Sequence, residues 1–293
     1  MRRTVPFFTF VYLISASLWA QTIDTVDCEL KMLVTLPKSA TEISGMAFTK
    51  QGFWIHNDSD NGPVIMLINE KGIVSSVKKI SNATNYDWED ITTGKDGELF
   101  IGDIGNNFNT RRTLQIYKID NPSQTEELKV EAKTIEFTYP DQTSFPPKNA
   151  SLIYDAEALL YFNDSLYVFN KNRSVPFDGM LRVYKIPAKP GKYIAALADS
   201  IYLGGKSSMN NWITAADISR DGKRVALLSS DKVWVFENFK GSNFFKGSIK
   251  LIRLNHFSQK EAICFDNEDN LFVADELFER ILGGNLYRIA CGK

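Results

Sequence analysis

The stretch YDWEDITTGKDGELFIGDIGNN, residues 86–107, shows the pattern on which the whole chain is built. A strand that begins near Glu89 is followed by a turn at Asp96-Gly97 and by a second, apolar strand over residues 99–101. An Asp-Gly pair between two such runs is a strong indication of a β-hairpin. The same pattern occurs four more times, in ISGMAFTKQGFWIHND (43–58), DAEALLYFNDSLYVFNK (155–171), TAADISRDGKRVALLSSD (214–231) and KEAICFDNEDNLFVADE (260–276).

Further strand-like segments follow each hairpin. The third segments are VIMLI, IYKI, VYKI, VWVF and LYRI, and the fourth are IVSSVKKIS, KTIEFTYP, DSIYLGG and SIKLIRLN. A four-stranded antiparallel unit that is repeated every several tens of residues is typical of a β-propeller. The second strands are apolar almost throughout, as expected of strands that are covered on both faces. The sequence therefore predicts an all-β fold, a five-bladed β-propeller of four-stranded antiparallel blades.

The last repeat ends at Cys291 without an outer strand of its own, whereas the strand CELKMLVTLP (28–37) precedes the first repeat. We predict that this N-terminal strand joins the last blade and closes the ring. Cys28 and Cys291 would then be adjacent and within reach of a disulfide, which is typically worth about 2–4 kcal/mol. The alternative is two unrelated thiols. The third cysteine, Cys264, lies in an apolar run and is interpreted as a buried hydrophobic residue.

The beginning of the chain has the features of a secretory signal peptide over residues 1–20. Two arginines precede a mostly apolar run, and Ala20 offers a small residue for cleavage. An uncleaved membrane anchor is the alternative, but the apolar run is shorter than the roughly 20 residues of a membrane-spanning helix. We therefore expect an exported protein, secreted, periplasmic or on the cell surface, with one domain over residues 21–293 and no membrane span after cleavage.

Composition excludes several functional classes. The net charge is −1 and no basic stripe with interleaved aromatic residues is present, so a nucleic-acid polymer is not the expected partner. The chain has two histidines and no Cys-x-x-Cys pair, which argues against zinc, haem and iron–sulfur centres. We expect a monomer.

In a propeller, the first strand of each blade lines the central channel. The starts of the first strands and the ends of the second strands therefore lie on the same face. The first set is Ser44, Glu89, Glu157, Ala216 and Glu261, and the second is Asp58, Asp103, Asn170, Asp231 and Asp275. Asp90 and Asp217 follow one position further on and are expected to point into the packing between blades or across to a neighbour.

Three glutamates in one channel repel each other, by about 4 kcal/mol per pair at ~4 Å and an effective dielectric constant near 20. Raised pKa values, pairing with Lys171 or Lys260, or a bound cation would each relieve this repulsion. An all-oxygen set of ligands suits a hard cation, and Ca²⁺ is favoured because the ligands come from separate blades. The predicted metal ligands are Ser44, Glu89, Glu157 and Glu261. The alternative is a water-filled channel whose glutamates are hydrogen-bonded to backbone amides.

The loops between second and third strands are long for hairpins and bring charged side chains to the same face. Arginine side chains match carboxylate and phosphate groups, so a small anionic substrate or a glycan is expected at the channel mouth. The predicted substrate-binding residues are Asp58, Asp103, Arg111, Lys171, Arg173 and Asp275. Solvated loop charges are the alternative for each of them.

The residues at the strand starts resemble the pattern of the calcium-activated nucleotidases (apyrases), which are secreted five-bladed propellers. That family's order of Ser, Glu, Glu, Ser and Glu falls on Ser44, Glu89, Glu157, Ala216 and Glu261. The fourth position departs from it, because alanine has no ligating side chain and only a backbone carbonyl or Asp217 could serve there. The resemblance implies Ca²⁺ in the channel, but the nucleotide-contacting segments of that family have no match here. The repeats are also similar to the phytase- and lactonase-type Ca²⁺ propellers.

The sequence thus favours a Ca²⁺-dependent hydrolase of a phosphate or ester bond. A glycosidase that uses two of the channel carboxylates is a second hypothesis, for which the separation of these groups is diagnostic. The third is a non-catalytic binding or scaffold propeller in which the ion is structural.

Overall fold

The repeated hairpins are present as antiparallel strand pairs in the computed structural model, which describes residues 23–205, 208–278 and 281–292. The predicted signal peptide at residues 1–20 lies outside the described residues. The strands, in chain order, are β1 (Ile23–Thr35), β2 (Ile43–Thr49), β3 (Gly52–Asn57), β4 (Val64–Ile68), β5 (Val74–Ile80), β6 (Trp88–Thr93), β7 (Leu99–Asp103), β8 (Leu114–Ile119), β9 (Lys129–Val130), β10 (Lys133–Thr138), β11 (Ala156–Phe162), β12 (Ser165–Asn170), β13 (Met180–Pro187), β14 (Gly191–Ile194), β15 (Ala196–Tyr202), β16 (Ala215–Ile218), β17 (Arg224–Leu228), β18 (Lys232–Glu237), β19 (Ser248–Arg253), β20 (Lys260–Phe265), β21 (Leu271–Asp275) and β22 (Asn285–Cys291).

Helical structure within the described residues is limited to short 3₁₀ turns at Lys38–Ala40, Lys95–Gly97, Pro122–Gln124, Asn149–Ser151 and Phe244–Lys246. The predicted all-β class is therefore confirmed. Across the described part of the chain, no helix has the length and apolar character that crossing a membrane requires.

Strand pairing follows the predicted order within each repeat. The first and second strands pair as β2–β3, β6–β7, β11–β12, β16–β17 and β20–β21, and the third strands are β4, β8, β13, β18 and β22. Strands β5, β10, β15 and β19 add antiparallel fourth strands to four of the units. The Asp-Gly turn has the positive φ angles of a hairpin turn, 55° at Asp96 and 82° at Gly97.

The first strands are neighbours of one another. Strand β2 contacts β6 and β20, β11 contacts β6 and β16, and β16 contacts β20. The second strands are buried on both faces between the sheets. In β12, for example, Leu166 and Val168 belong to one hydrophobic cluster, while Tyr167 and Phe169 belong to another. This explains why these strands are apolar throughout rather than alternating.

The N-terminal strand β1 joins two sheets. Its second half pairs antiparallel with β22, with Cys28 opposite Cys291, and these two residues form the predicted disulfide. Its first half, which the sequence did not predict as a strand, pairs in parallel with β19. Two further parallel additions were also not predicted: β9 pairs with β5, and β14 pairs with β10.

Buried carboxylates connect the first strands to each other. Asp90 Oδ2 accepts hydrogen bonds from the backbone N–H groups of Leu159, at 2.9 Å, and Ala216, at 3.1 Å. Its Oδ1 accepts a third bond, from Ile91 N at 2.8 Å. In the same way, Asp217 accepts from the backbone N–H of Phe265. These side chains reach across to neighbouring strands, as predicted, and fix the positions of strands β6, β11, β16 and β20.

We expect the disulfide to contribute about 2–4 kcal/mol to the free energy of unfolding, because it connects the two ends of the chain. The variant Cys28→Ser/Cys291→Ser should lose this amount in urea denaturation. The wild-type protein with reductant is the control and should match the variant. An unchanged denaturation midpoint in both would contradict the prediction.

We expect Asp90→Ala to lower the free energy of unfolding by about 3 kcal/mol or more, because three buried N–H groups lose their acceptor. Asp217→Ala is the matched control and should lose less, since Asp217 reaches fewer strands. Equal losses in chemical denaturation would show that Asp90 has no special role in joining the strands.

Candidate functional site

A polar cavity of about 200 Å³ lies at the starts of the first strands, and we call it the acid cavity. Its carboxylates are Asp58, Glu89, Glu157, Glu261 and Glu276, and its other polar residues include Ser44, Lys171 and Arg173. The structure thus brings together all four predicted metal ligands and three of the predicted substrate-binding residues. Their roles as ligands and substrate contacts remain predictions.

In the first strands, the four predicted metal ligands lie at irregularities in strand pairing. Strands β2, β6, β11 and β20 each have a register shift at one residue, and these residues are Ser44, Glu89, Glu157 and Glu261. A β-bulge leaves one residue unpaired and re-aims its side chain, and bulges are over-represented next to active sites. Strand β16, which carries Ala216 at the corresponding position, pairs without a shift. The bulges therefore coincide with the four predicted ligands.

Glu157 has an unequal set of partners for its two carboxylate oxygens. Its Oε1 is hydrogen-bonded to Lys171 Nζ and lies 3.6 Å from Arg173 Nη2. Its Oε2 is buried and has no hydrogen-bond partner among the described residues. A buried carboxylate oxygen without a donor is costly, so this atom points to a cation or a proton at the cavity.

A second feature is a group of three carboxylates on one side of the cavity. One oxygen from each of Asp58, Asp87 and Glu89 lies within 4.8 Å of the other two. Gly105 makes this approach feasible, because a Cβ atom there would come within 2.3 Å of the carboxylates of Asp87 and Glu89. Asp87 was not predicted from the sequence. In the sequence, a role for Asp87 in the site is indicated only by its position two residues before Glu89.

The electrostatic environment raises the pKa values of these carboxyl groups. Burial and then the charge of Glu157 raise the pKa of Glu89 well above its usual range. Burial is also the main cause at Glu157, whose pKa rises to about 8, and at Glu261, whose pKa rises to about 7. Asp87 and Glu276 likewise reach a pKa of about 7 through burial and the charge of Asp58.

Two cations partly balance these acids. Burial opposes the charge of Lys171, but Glu157 and Glu261 raise its pKa above the usual value. Arg173 is hydrogen-bonded to the buried carboxylate of Asp155 and to Asn107, and its guanidinium lies 5.0 Å from the ring centre of Trp212. Asp155, which was not predicted, therefore holds Arg173 in place beside the cavity.

The other predicted substrate-binding residues lie outside the acid cavity. Asp103 and Arg111 form an ion pair with each other at 2.7 Å, and Arg111 also donates to the carbonyl of Gly105 at 2.6 Å. Asp275 accepts hydrogen bonds from Asn285 N at 2.9 Å and Tyr287 Oη at 3.0 Å. Each of these three side chains is thus hydrogen-bonded within the chain. A contact between any of them and a substrate remains a prediction.

No protein-family model matches the chain, and no curated protein is significantly similar to it in sequence. Solved structures with similarity include a gluconolactonase of Xanthomonas campestris, with 14% identity, a TM-score of 0.46, and coverage of 86% of this chain and 73% of that chain. A PQQ-bound aldose sugar dehydrogenase of Streptomyces coelicolor has 10% identity, a TM-score of 0.46, and coverage of 90% and 98%. The WD40 domain of Neurospora crassa Pan2 has 10% identity, a TM-score of 0.41, and coverage of 86% and 75%. With TM-scores below 0.5, these similarities assign neither a substrate nor a cofactor to this chain.

The raised pKa values predict how stability depends on pH in the presence of a chelator. The folded protein retains protons on groups such as Glu157 that unfolded chains lose near pH 4.5. The contribution of these groups to the free energy of unfolding is therefore present below about pH 4.5 and is lost as the pH rises through about 7–8. Urea denaturation with EDTA at pH 5, 6, 7 and 8 should show this decline.

In the same series, Glu157→Gln should make the decline shallower, because one of the titrating groups is removed. Asp164→Asn, at an exposed aspartate whose pKa is lowered by Lys95, is the control and should retain the decline. A stability that is constant or rises between pH 5 and 8 would contradict the electrostatic description of the acid cavity.

Proposed function

We propose that the chain is an exported five-bladed β-propeller, one domain over residues 21–293, closed by β1 as the outer strand of the last blade. The mutual contacts of β2, β6, β11, β16 and β20 support the count of blades. The pairing of β1 with β22 supports the closure. The disulfide between Cys28 and Cys291 supports export, since such bonds persist in oxidising compartments.

We propose further that the acid cavity binds a divalent cation, with Ca²⁺ favoured, through Ser44, Glu89, Glu157 and Glu261. The coincidence of a β-bulge with each of these residues is the observation that carries this proposal. The donor set fits the ion, because the lining residues in the described part of the chain offer oxygen ligands and no thiolate or imidazole. The unpartnered Oε2 of Glu157 supports the same site.

A bound Ca²⁺ would supply Lewis-acid chemistry, which polarises a carbonyl or phosphoryl oxygen. The chain itself supplies groups that can move a proton near neutral pH. Before the ion binds, burial and the charge of Asp58 raise the pKa values of Asp87 and Glu276 to about 7. Beside the bound ion, a carboxylate at either position can accept a proton from water and return it to a leaving group. Lys171 and Arg173 hold Glu157 in a fixed position. The proposed activity is hydrolysis of an ester or phosphate bond.

Calcium should raise the unfolding temperature of the purified protein, because an ion that binds the folded state alone stabilises it. Glu157→Gln should weaken calcium affinity by about tenfold or more, measured by isothermal titration calorimetry. The matched control is Glu98→Gln, which removes a glutamate paired with Lys118 elsewhere and should leave the affinity unchanged. Wild-type protein without any calcium-dependent shift would overturn the metal site.

Turnover separates the three functional hypotheses. Nitrophenyl esters, nitrophenyl phosphate and nitrophenyl glycosides should be compared with and without EDTA. Loss of ester or phosphate hydrolysis on chelation, with the fold intact, is the expected result. Calcium-dependent stability without any turnover would support a binding propeller instead, and glycoside hydrolysis that is insensitive to EDTA would support the glycosidase.

A further inference from the structure

A larger cavity of about 580 Å³ adjoins the acid cavity, and we call it the apolar pocket. Its apolar lining comes from Met209, Trp212, Phe257, Phe278 and Leu282. Its volume lies in the range of small-molecule sites, which are commonly about 300–1,000 Å³. The two cavities share the side chains of Lys171, Gln259, Glu261 and Glu276 as a common wall.

The apolar side chains of this pocket are open to solvent. Phe257 is 60% exposed and Leu282 is 66% exposed, and both are on segments that border the same opening. Large apolar side chains that are exposed together mark a binding site more often than a single exposed one does. The pocket therefore favours an apolar occupant.

Two buried polar side chains of the apolar pocket, Lys260 and Asp275, have hydrogen-bond partners within the chain. Lys260 is fully buried, and its Nζ donates to the carbonyls of Ser230, at 2.8 Å, and His256, at 2.9 Å. It also donates to Ser258 Oγ at 3.0 Å, so the amine fixes the segment that carries Phe257. Since Asp275 is also hydrogen-bonded, an apolar group can enter this pocket without leaving these two side chains unpartnered.

The charge of the acid cavity limits what can be attached to that apolar group. Five carboxylates line the cavity, while the lining cations in the described part of the chain are Lys171 and Arg173. Both cations already pair with Glu157, and Arg173 also pairs with Asp155. With a divalent cation bound, the ion, Lys171 and Arg173 together carry four positive charges against five ionised carboxylates. An anionic substrate would therefore meet no net positive charge and few free donors, whereas an uncharged group depends on neither.

We propose that the substrate is an uncharged carboxylic ester whose apolar acyl group lies in the apolar pocket while the ester group lies at the acid cavity. This inference rests on the proposed hydrolytic function and narrows its substrate class. Water adds to the ester carbonyl carbon, the bond from that carbon to the alkoxy oxygen breaks, and a proton from the water ends on the departing alcohol. The products are a carboxylic acid and an alcohol.

Binding is tested first and without turnover, with the uncharged fluorescent probe N-phenyl-1-naphthylamine and the calcium-loaded protein. Leu282→Asn and Phe257→Ser should each weaken probe binding by about fivefold, because each removes apolar contact area. The matched control is Leu128→Asn, since Leu128 is 73% exposed and lies outside the pocket. Equal probe affinity in all variants would overturn the apolar pocket as a binding site.

Turnover is tested with nitrophenyl acetate and nitrophenyl octanoate. The wild-type protein should have the lower KM for octanoate, and Leu282→Asn should raise that KM about fivefold while changing the KM for acetate much less, because the short acyl group buries little apolar area. Leu128→Asn should behave as the wild type. Hydrolysis of both esters with no chain-length preference would overturn this inference but not the proposed function.

A different result overturns both proposals. If neither a nitrophenyl ester nor nitrophenyl phosphate is hydrolysed in calcium, the hydrolytic function and the ester assignment both fail. Faster hydrolysis of nitrophenyl phosphate than of any nitrophenyl ester would overturn the uncharged substrate alone and leave the metal-dependent hydrolase in place. The probe experiment remains a separate readout, because it reports occupation of the apolar pocket in the absence of any reaction.

Discussion

Repulsion between buried carboxylates is the constraint to which the rest of this structure responds. The arrangement of the first strands brings Glu89, Glu157 and Glu261 to one cavity, where burial and repulsion from neighbouring carboxylates raise the pKa values of all three. Charges in such an environment interact more strongly than they would in water. The repulsion must be compensated by cations, by protons or by hydrogen bonds to the carboxylates. Lys171 and Arg173 supply the positive charge, and an ion pair with Asp155 fixes the position of Arg173.

The same scaffold treats its other buried acids differently. Asp90 and Asp217 are also buried, but their oxygens accept backbone hydrogen bonds from neighbouring strands. They hold the first strands together, whereas Glu89, which precedes Asp90, lines the acid cavity, and Ala216, which precedes Asp217, packs in a hydrophobic cluster. Adjacent positions on one strand point to opposite sides, and this separates structural acids from those of the cavity. At Glu89 a β-bulge adds to this difference, because the bulged residue has no partner on β7 and its side chain is re-aimed.

The sequence predicted the hairpins, the order of strands within each repeat, the disulfide and the convergence of Ser44, Glu89, Glu157 and Glu261. The hairpins, the strand order and the glutamate positions follow from local patterns that recur along the chain, and the disulfide follows from the missing outer strand of the last repeat. It did not predict β9, β14 or the first half of β1, because short parallel strands at sheet edges depend on a partner distant in sequence and have no periodicity of their own. Asp87 and Asp155 were missed because each precedes its strand, and only the folded loops bring Asp87 beside Glu89 and Asp155 beside Arg173. The pairing of Asp103 with Arg111 depends likewise on loop conformation.

The fourth repeat departs from the pattern of the other four at the start of its first strand. Ala216 stands where the other first strands carry a serine or a glutamate, its strand has no bulge, and its N–H is bound by Asp90. Strand β16 therefore contributes no side chain to the acid cavity. The apolar pocket lies on the side left free, with Trp212 and Thr214 just before β16 and Lys260 at the start of β20. A glutamate at position 216 would instead bury a further carboxylate among the apolar side chains of the cluster that contains Ala216, which is costly without a partner.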